Sequence, residues 1–366
     1  MFSLPNAIRL TTGWSIPVLS MLSPCFLMAD PSPLPLSVAP ADGNVRYMGR
    51  FDTRDAAGPR CSWPASTVML KFEGTSLNAK IREQGQDFLQ VVVDGKPTEA
   101  LELALGEHLY SLAKDLPAGQ HLVELVKATE GFVGLTQFTG FQLNEGGKLL
   151  PVLARKRRLE VIGDSISCGY GNMAASKEES FSPKTENAYY SYGAIAARQV
   201  DADYVCVAFS GRKMWPDNTT PELYDRTLTF DPGSQWNFSS FTPDAIVINL
   251  ATNDFARSNP DETGWTDAYV AFIQRLRKHS PKAPIYCAIG TMMGDFGPNQ
   301  PLTALRRYLD KVIAGCKAAG DEKVQIIDFG VQDPANGYGA GWHPSKKTQE
   351  LMGEQLAKAL KKDLGW

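Results

Sequence analysis

The hydrophobic pattern of this chain changes period once, near residue 150, and that change limits the fold more than any other feature. Before it, apolar residues alternate. Val68, Leu70 and Phe72 are interleaved with Met69, Lys71 and Glu73, the period of two expected of a strand with one buried face. Val91-Val92-Val93 runs into Asp94-Gly95, a tight-hairpin signal, and Leu122 to Val126 follows the turn Pro117-Ala118-Gly119. No useful helix-period segment occurs here, so residues 41–150 are expected to form an antiparallel β-sandwich.

After it, continuous apolar runs recur at Leu159–Gly163, Tyr204–Phe209, Ala245–Leu250, Pro284–Gly290 and Val324–Phe329. Helix-period segments separate them. Tyr269, Phe272, Ile273 and Leu276 share one face, as do Leu302, Leu305, Leu309, Val312, Ile313 and Cys316, and Met352, Leu356 and Leu360 mark a last helix. Strand-helix alternation with fully apolar strands predicts an α/β domain over 151–366, a parallel sheet covered on both faces. Ligands of such sheets sit beyond the carboxyl ends of the strands, near the topological switch point.

The ends of the 366-residue chain read differently. Arg9 precedes a mostly apolar run from Gly13 to Met28, and Leu27-Met28-Ala29 suits a cleavage site. Residues 1–29 are therefore expected to be a secretory signal, and 30–40, with Pro-Ser-Pro-Leu-Pro, an extended linker. Pro17 and Pro24 argue against a membrane-spanning helix. The protein is then secreted or periplasmic, with no membrane insertion once the signal is removed. Thirty-seven basic and 40 acidic residues leave a net charge of −3, no electrostatic reason to expect nucleic acid or an anionic membrane as partner. The densest basic run, Arg155 to Arg158, is expected to be a solvated interdomain linker. Of the six cysteines, Cys206, Cys287 and Cys316 lie in apolar settings and read as small buried hydrophobes, and no metal-ligand spacing occurs among them.

One strand end carries chemistry. Leu159 to Ile162 leads into Gly163-Asp164-Ser165 and a glycine-rich loop. A serine hydroxyl is a poor nucleophile without an adjacent base. Four histidines are available. His108 and His121 sit in strand-edge contexts, and His279 ends a helix, where a cation suits the dipole. His343, in Gly339-Ala340-Gly341-Trp342-His343-Pro344, falls between the last strand and the last helix, at the functional end of the sheet. By elimination it is the base. Gly211 and Asn253 end the second and third strands, where a bare glycine N–H and a side-chain amide are suited to receive an oxyanion.

Gly163-Asp164-Ser165, Gly211, Asn253 and His343 resemble, in order, the four blocks of the SGNH (GDSL-type) hydrolase superfamily. The stretches GDSISCGYGN (163–172), ENAYYSYGAIAARQ (186–199), AFSGRKM (208–214), TPELYDRTL (220–228) and GWHPS (341–345) are similar to carbohydrate esterase family 2. In the front half, GRFD (49–52) and LPAGQHLVELVKATEG (116–131) resemble that family's β-sandwich. The resemblance implies a jelly-roll-like front domain and a flavodoxin-like sheet. It implies an esterase removing acetyl groups from plant polysaccharides or their fragments, of xylan or glucomannan type, without metal or organic cofactor. Ser165 would attack the acetyl carbonyl, His343 would carry the proton, and the N–H groups of Ser165 and Gly211 with the Asn253 side chain would hold the oxyanion. Asp164 would be a hydrogen-bonding support.

Two positions depart from the family pattern. Where an aspartate usually stands three residues before the histidine, this chain has Ala340; a backbone carbonyl is the expected partner of the imidazole, with Asp333 and Asp328 as the carboxylate alternatives. Ala251 replaces a common glycine. Tyr170, Trp215, Phe255, Trp265 and Trp342 are aromatics near the expected rim, with Trp342 and Tyr170 the expected sugar contacts and Trp265, at a helix start, favoured as a core residue. A lipid or thioester hydrolase on the same fold, or an inactive carbohydrate-binding protein, are the competing readings.

Overall fold

The computed structural model describes residues 35–366. The expected signal, with Cys25, and the first part of the expected linker lie outside the described residues. Leu36–Val38, expected in the linker, instead pairs antiparallel with Thr136–Leu143 as an edge strand of the front domain.

Two antiparallel sheets make that domain. One runs in the order Leu36–Val38, Thr136–Leu143, Leu77–Glu83, Gly106–Ala113; the other runs Lys148–Leu150, Thr67–Gly74, Gly119–Lys127, Phe88–Val93, Lys96–Pro97. Val68, Leu70, Phe72, Leu89, Val91, Val123 and Leu125 of the second face Leu77, Ile81, Phe138 and Phe141 of the first, forming a closed core. The hairpin at Asp94-Gly95 pairs Val93 with Lys96, and both turn residues have positive φ (49° and 76°), as a tight two-residue turn requires.

The alternation is incomplete for a physical reason. Met69, Val92 and Val126 point away from the sandwich core yet are buried, because they pack on the α/β half. This accounts for the unbroken Val91-Val92-Val93.

The second half is a five-stranded parallel sheet. Its strands are β1 (Arg157–Gly163), β2 (Ala202–Ala208), β3 (Ala245–Asn249), β4 (Ile285–Ile289) and β5 (Val324–Asp328), in the order β2-β1-β3-β4-β5. That is the flavodoxin-like doubly wound order, with its switch point at the carboxyl end of β1. A one-turn helix α1 (Ser165–Cys168) follows β1 there. α2 (Tyr192–Gln199) and α5 (Lys346–Leu364) cover one face, and α3 (Glu262–His279) and α4 (Pro301–Ala318) the other. Caps define the longer helices: Asp261 accepts from Gly264 N–H at the start of α3, Pro301 opens α4, and Ser345 accepts from Thr348 N–H at the start of α5. The five described cysteines are buried and unpaired.

The basic run does not form a free linker. Arg157 and Arg158 begin β1, Arg158 pairs with Asp244, and Arg155 pairs with Asp201.

Glu160 is the one acidic residue inside β1, and its partner comes from the front half. Arg50, fully buried, reaches Glu160 at 3.3 Å and the Arg226 carbonyl at 3.0 Å; it also donates to the Tyr224 carbonyl, while the Tyr224 hydroxyl donates to Glu160 at 2.9 Å. Burial pushes the Glu160 carboxyl up, and Arg50 opposes that rise. Removing one member of a buried ion pair strands the other, at about 3–5 kcal/mol. Arg50→Ala is therefore expected to lower unfolding stability by about 3–5 kcal/mol, read as a lower urea midpoint. A midpoint unchanged from wild type would show the pair to be dispensable.

Candidate active site

The strand that opens the α/β half delivers its serine through a sequence that admits little else. A Cβ on Gly163 would lie 2.1 Å from Ser167 Oγ, so only glycine lets β1 turn so closely into α1. Asp164 caps that turn, its carboxylate accepting from Ile166 N–H at 3.0 Å. Ser165, 6% exposed, begins α1 with its side chain at the sheet's carboxyl edge.

His343 arrives from a loop stitched to the one after Ser165. Ala340 N–H donates to the Gly171 carbonyl at 3.0 Å, Lys346 N–H to the Asn172 carbonyl at 3.0 Å, and Gly341 N–H to the Lys177 carbonyl at 3.1 Å. A Cβ on Gly339 would meet Gly171 O at 2.4 Å, and one on Gly171 would meet Ala340 Cβ at 2.6 Å. The glycines of both loops allow this close backbone approach. The result is a contact across 178 positions: His343 Nε2 lies 2.9 Å from Ser165 Oγ. Its other ring nitrogen, Nδ1, lies 3.0 Å from the Ala340 carbonyl oxygen. Only a donor can sit opposite a carbonyl, so Nδ1 carries the proton and Nε2 is free to accept one.

No carboxylate joins them among the described residues. Asp328 pairs with Arg306 at 2.7 Å and accepts from Gly330 N–H. Asp333 caps a short 3₁₀ turn, accepting from Ala335 N–H at 2.9 Å. Burial holds the His343 imidazole below its ordinary value of 6.5, with the backbone carbonyl opposing in part.

Gly211 has φ +76° and nothing within 4 Å of where its Cβ would stand, so space lies open beside its backbone. The Asn253 amide is placed between the other two loops, donating to the Arg212 carbonyl at 2.9 Å and standing 3.4 Å from Asp164 Oδ2. Gly211 and Asn253 share a cleft of about 500 Å³ with Lys213, Trp215 and Arg257. Burial raises Asp164 to about 7. Ala251, at φ 156°, holds an alanine at the margin of the glycine-favouring region.

The aromatics divide. Tyr170 lies with its ring centroid 4.3 Å from His343 and stacks on Phe181 at 4.2 Å. Trp342 is 53% exposed at φ +69°, with Lys177 Nζ 3.6 Å from its ring centre. Trp215 lines the cleft. Phe255, expected near the rim, is a core residue instead, and Trp265 lies in the core as its helix-start position favours: it is fully buried, in phase with Tyr269 on α3 and in edge contact with Phe255.

Two residues escaped the sequence reading. Asp254 binds the loop after β2 to the loop after β3, accepting from Met214 N–H at 3.1 Å, Trp215 N–H at 3.0 Å and Trp265 Nε1 at 2.9 Å. Burial lifts it to about 6. Glu130, from the front sandwich, reaches Ser210 beside Gly211. An acidic residue next to Asn253, and one ending the front-half stretch 116–131, were the available signals.

Comparison with known proteins fits this geometry. Residues 47–152 match the model of the carbohydrate esterase 2 N-terminal domain, and residues 161–351 match that of the GDSL-like lipase/acylhydrolase family. A cellulase/esterase, CelE, of Acetivibrio thermocellus is 39% identical over 328 residues, which are 88% of this chain and 40% of that protein. The chain thus spans less than half of that relative. An acetylxylan esterase/glucomannan deacetylase of Cellvibrio japonicus is 29% identical, over 94% of this chain and 96% of its own length. The structure of a family two carbohydrate esterase from Clostridium thermocellum in complex with cellohexaose aligns with TM-score 0.83 and 40% identity, over 88% of this chain and 99% of that one.

The Ala340 contact leads to a direct expectation. In protein labelled with ¹⁵N-histidine near neutral pH, Nδ1 of His343 should resonate as the protonated nitrogen and Nε2 as the bare one. The reverse assignment would show that the carbonyl does not set the tautomer.

Proposed function

The chain belongs to carbohydrate esterase family 2, and from that premise we propose that it removes O-acetyl groups from plant polysaccharides, xylan or glucomannan in type, by serine–histidine catalysis. The observation that carries this reading is the 2.9 Å contact between Ser165 Oγ and His343 Nε2, with Nδ1 committed to the Ala340 carbonyl. Ser165 Oγ attacks the acetyl carbonyl carbon while its proton passes to Nε2. The carbonyl oxygen becomes the oxyanion, received by the N–H groups of Ser165 and Gly211 and by Asn253 as its amide turns from Asp164. The imidazolium gives its proton to the departing sugar oxygen, leaving an acetyl-serine. Water, deprotonated by the same nitrogen, then releases acetate and restores the hydroxyl.

Asp164 serves here through its hydrogen bonds to Ile166 and Asn253. Tyr170 packs against the imidazole, and Trp342, 53% exposed beside His343 in the chain, offers ring surface suited to the apolar face of a sugar. A polymeric substrate fits an exported enzyme, and among the described residues no helix is long and apolar enough to cross a membrane.

A second reading, hydrolysis of esters with a bulkier apolar acyl group, draws on Phe132 and Phe230, which are 45% and 65% exposed and pack on Phe209, the residue before Ser210-Gly211. Acetate release from acetylated xylan and glucomannan, set against hydrolysis of a long-chain ester, separates the two. Preference for the long chain would reject the carbohydrate reading.

Ser165→Ala and His343→Ala are each expected to lose turnover of p-nitrophenyl acetate by roughly 10⁴ or more, with unchanged circular dichroism. Asp333→Ala should stay within about tenfold, whereas a loss on the scale of about 10⁴ would reinstate a carboxylate partner. The base must be neutral to accept a proton. Activity is therefore lost as pH falls through the His343 pKa, and the acid limb of kcat/KM should lie below 6.5. A limb above 6.5 would contradict a base without an anionic neighbour.

A further inference from the structure

The oxyanion loop is held from outside its own domain. The N–H of Ser210, the residue before Gly211, donates to Glu130 Oε2 at 2.7 Å, and its hydroxyl donates to Glu130 Oε1. Glu130 is fully buried and follows the sandwich strand Gly119–Lys127 by three residues. Its neighbours complete the grip. Phe132 packs on Phe209 with ring centroids 5.9 Å apart. A Cβ on Gly131 would collide with Thr229 Oγ1 at 2.4 Å, so the sandwich loop lies flush against the α/β half. The Ala128 carbonyl accepts from Ala188 N–H at 2.8 Å.

We propose that Glu130 is a positioning residue of the esterase site: the front sandwich uses its carboxylate to fix Ser210, and through Ser210 the direction of the Gly211 N–H that receives the oxyanion. The inference rests on the reading of Gly211 given above. The reason is geometric. A glycine at φ +76° with open space around it has no side chain to anchor its peptide plane. The two hydrogen bonds to the preceding residue supply that anchor, and catalysis by a donor depends on its being fixed before charge develops.

The backbone of Glu130 is itself held from the α/β half. Glu186, 1% exposed, accepts from the Glu130 N–H at 3.0 Å through Oε2, while its Oε1 is buried without a partner among the described residues. Glu130, Glu186 and the Cys168 thiol bring their ligand atoms within 4.8 Å of one another. A metal would need these groups deprotonated. Burial works against that, pushing all three upward, Glu186 and Cys168 well above their ordinary values. The bond from the Glu130 N–H to Glu186 fixes the backbone from which the Glu130 side chain reaches Ser210.

The test is kinetic. Glu130→Leu keeps the volume and removes both acceptors. It should lower kcat for p-nitrophenyl acetate by about 10–100-fold, part of the 10²–10³ lost when an oxyanion donor is removed outright, with KM within about threefold. Affinity for phenylboronic acid, whose tetrahedral adduct on Ser165 places a boron-bound oxygen at the oxyanion position, should fall by the same factor. Glu130→Gln accepts from the Ser210 N–H and donates to its hydroxyl, and should recover at least tenfold of the loss. Arg50→Ala, a destabilised comparison, loosens the same interface away from Gly211 and should keep kcat within about threefold. Should Glu130→Leu fail to fold, Ser210→Ala, which removes only the hydroxyl bond, should still lose about three- to tenfold in kcat and in boronate affinity. Wild-type kcat and boronate affinity in folded Glu130→Leu, or in Ser210→Ala, would overturn the proposal, as would Gln faring no better than Leu. Ser165→Ala run alongside separates the cases: if it is inactive and the Glu130 and Ser210 variants are unaffected, only this inference falls; if it is active, the catalytic reading itself falls.

Discussion

A single backbone carbonyl, that of Ala340, sets the orientation of the His343 ring. It engages Nδ1 of His343 and so leaves Nε2 bare toward Ser165. Because, among the described residues, no carboxylate stands behind the ring, the carbonyl must be fixed by geometry alone. That is why the loop carrying it is hydrogen-bonded to the Gly171 and Asn172 carbonyls, and why Gln332 holds the Trp342 carbonyl at 2.8 Å. Gly339 and Gly171 let the two backbones touch, and Gly341 and Trp342 accept positive φ in succession so that the ring of His343 turns inward while that of Trp342 turns out.

Around this pair, hydrogen-bonding groups are held by buried acids. Asp164 orders the serine turn, Asp254 joins the loops after β2 and β3, and Glu130 engages the residue before Gly211. Burial raises all three above the ordinary carboxylate range. Each gives hydrogen-bond acceptors at fixed positions beside the loops that carry Ser165, Gly211 and Asn253. A buried imidazole held below its ordinary pKa belongs to the same pattern, in which polar groups are placed out of water, where dipoles act more strongly.

Much of this was legible in the sequence because it is local. The period change marks the two halves, the apolar runs coincide with β1 to β5, and Ser165 and His343 emerge from position at strand ends plus the scarcity of histidine. What was missed is non-local. Nothing near Met69 or Val92 tells that the outer face of a sandwich sheet will be covered. Leu36 to Val38 read as linker because its partner strand lies about a hundred residues on. Trp265 is the local case among the aromatics: it continues the α3 stripe of Tyr269 and Phe272 by one turn, which favours the core over the rim. Glu130 lay within a quoted stretch, but its destination, a serine 80 positions away, is set by docking.

The interface between the halves has a consequence for how such a chain can be handled. Arg50 neutralises an acid inside β1, and Met69, Val92 and Val126 complete the packing under α2 and α5. A cut near residue 150 would give the α/β portion an open hydrophobic flank and an acid in β1 without its arginine partner. Anyone splicing this enzyme into a larger assembly should therefore move residues 35–366 as one cassette, and attach new modules at its outer ends.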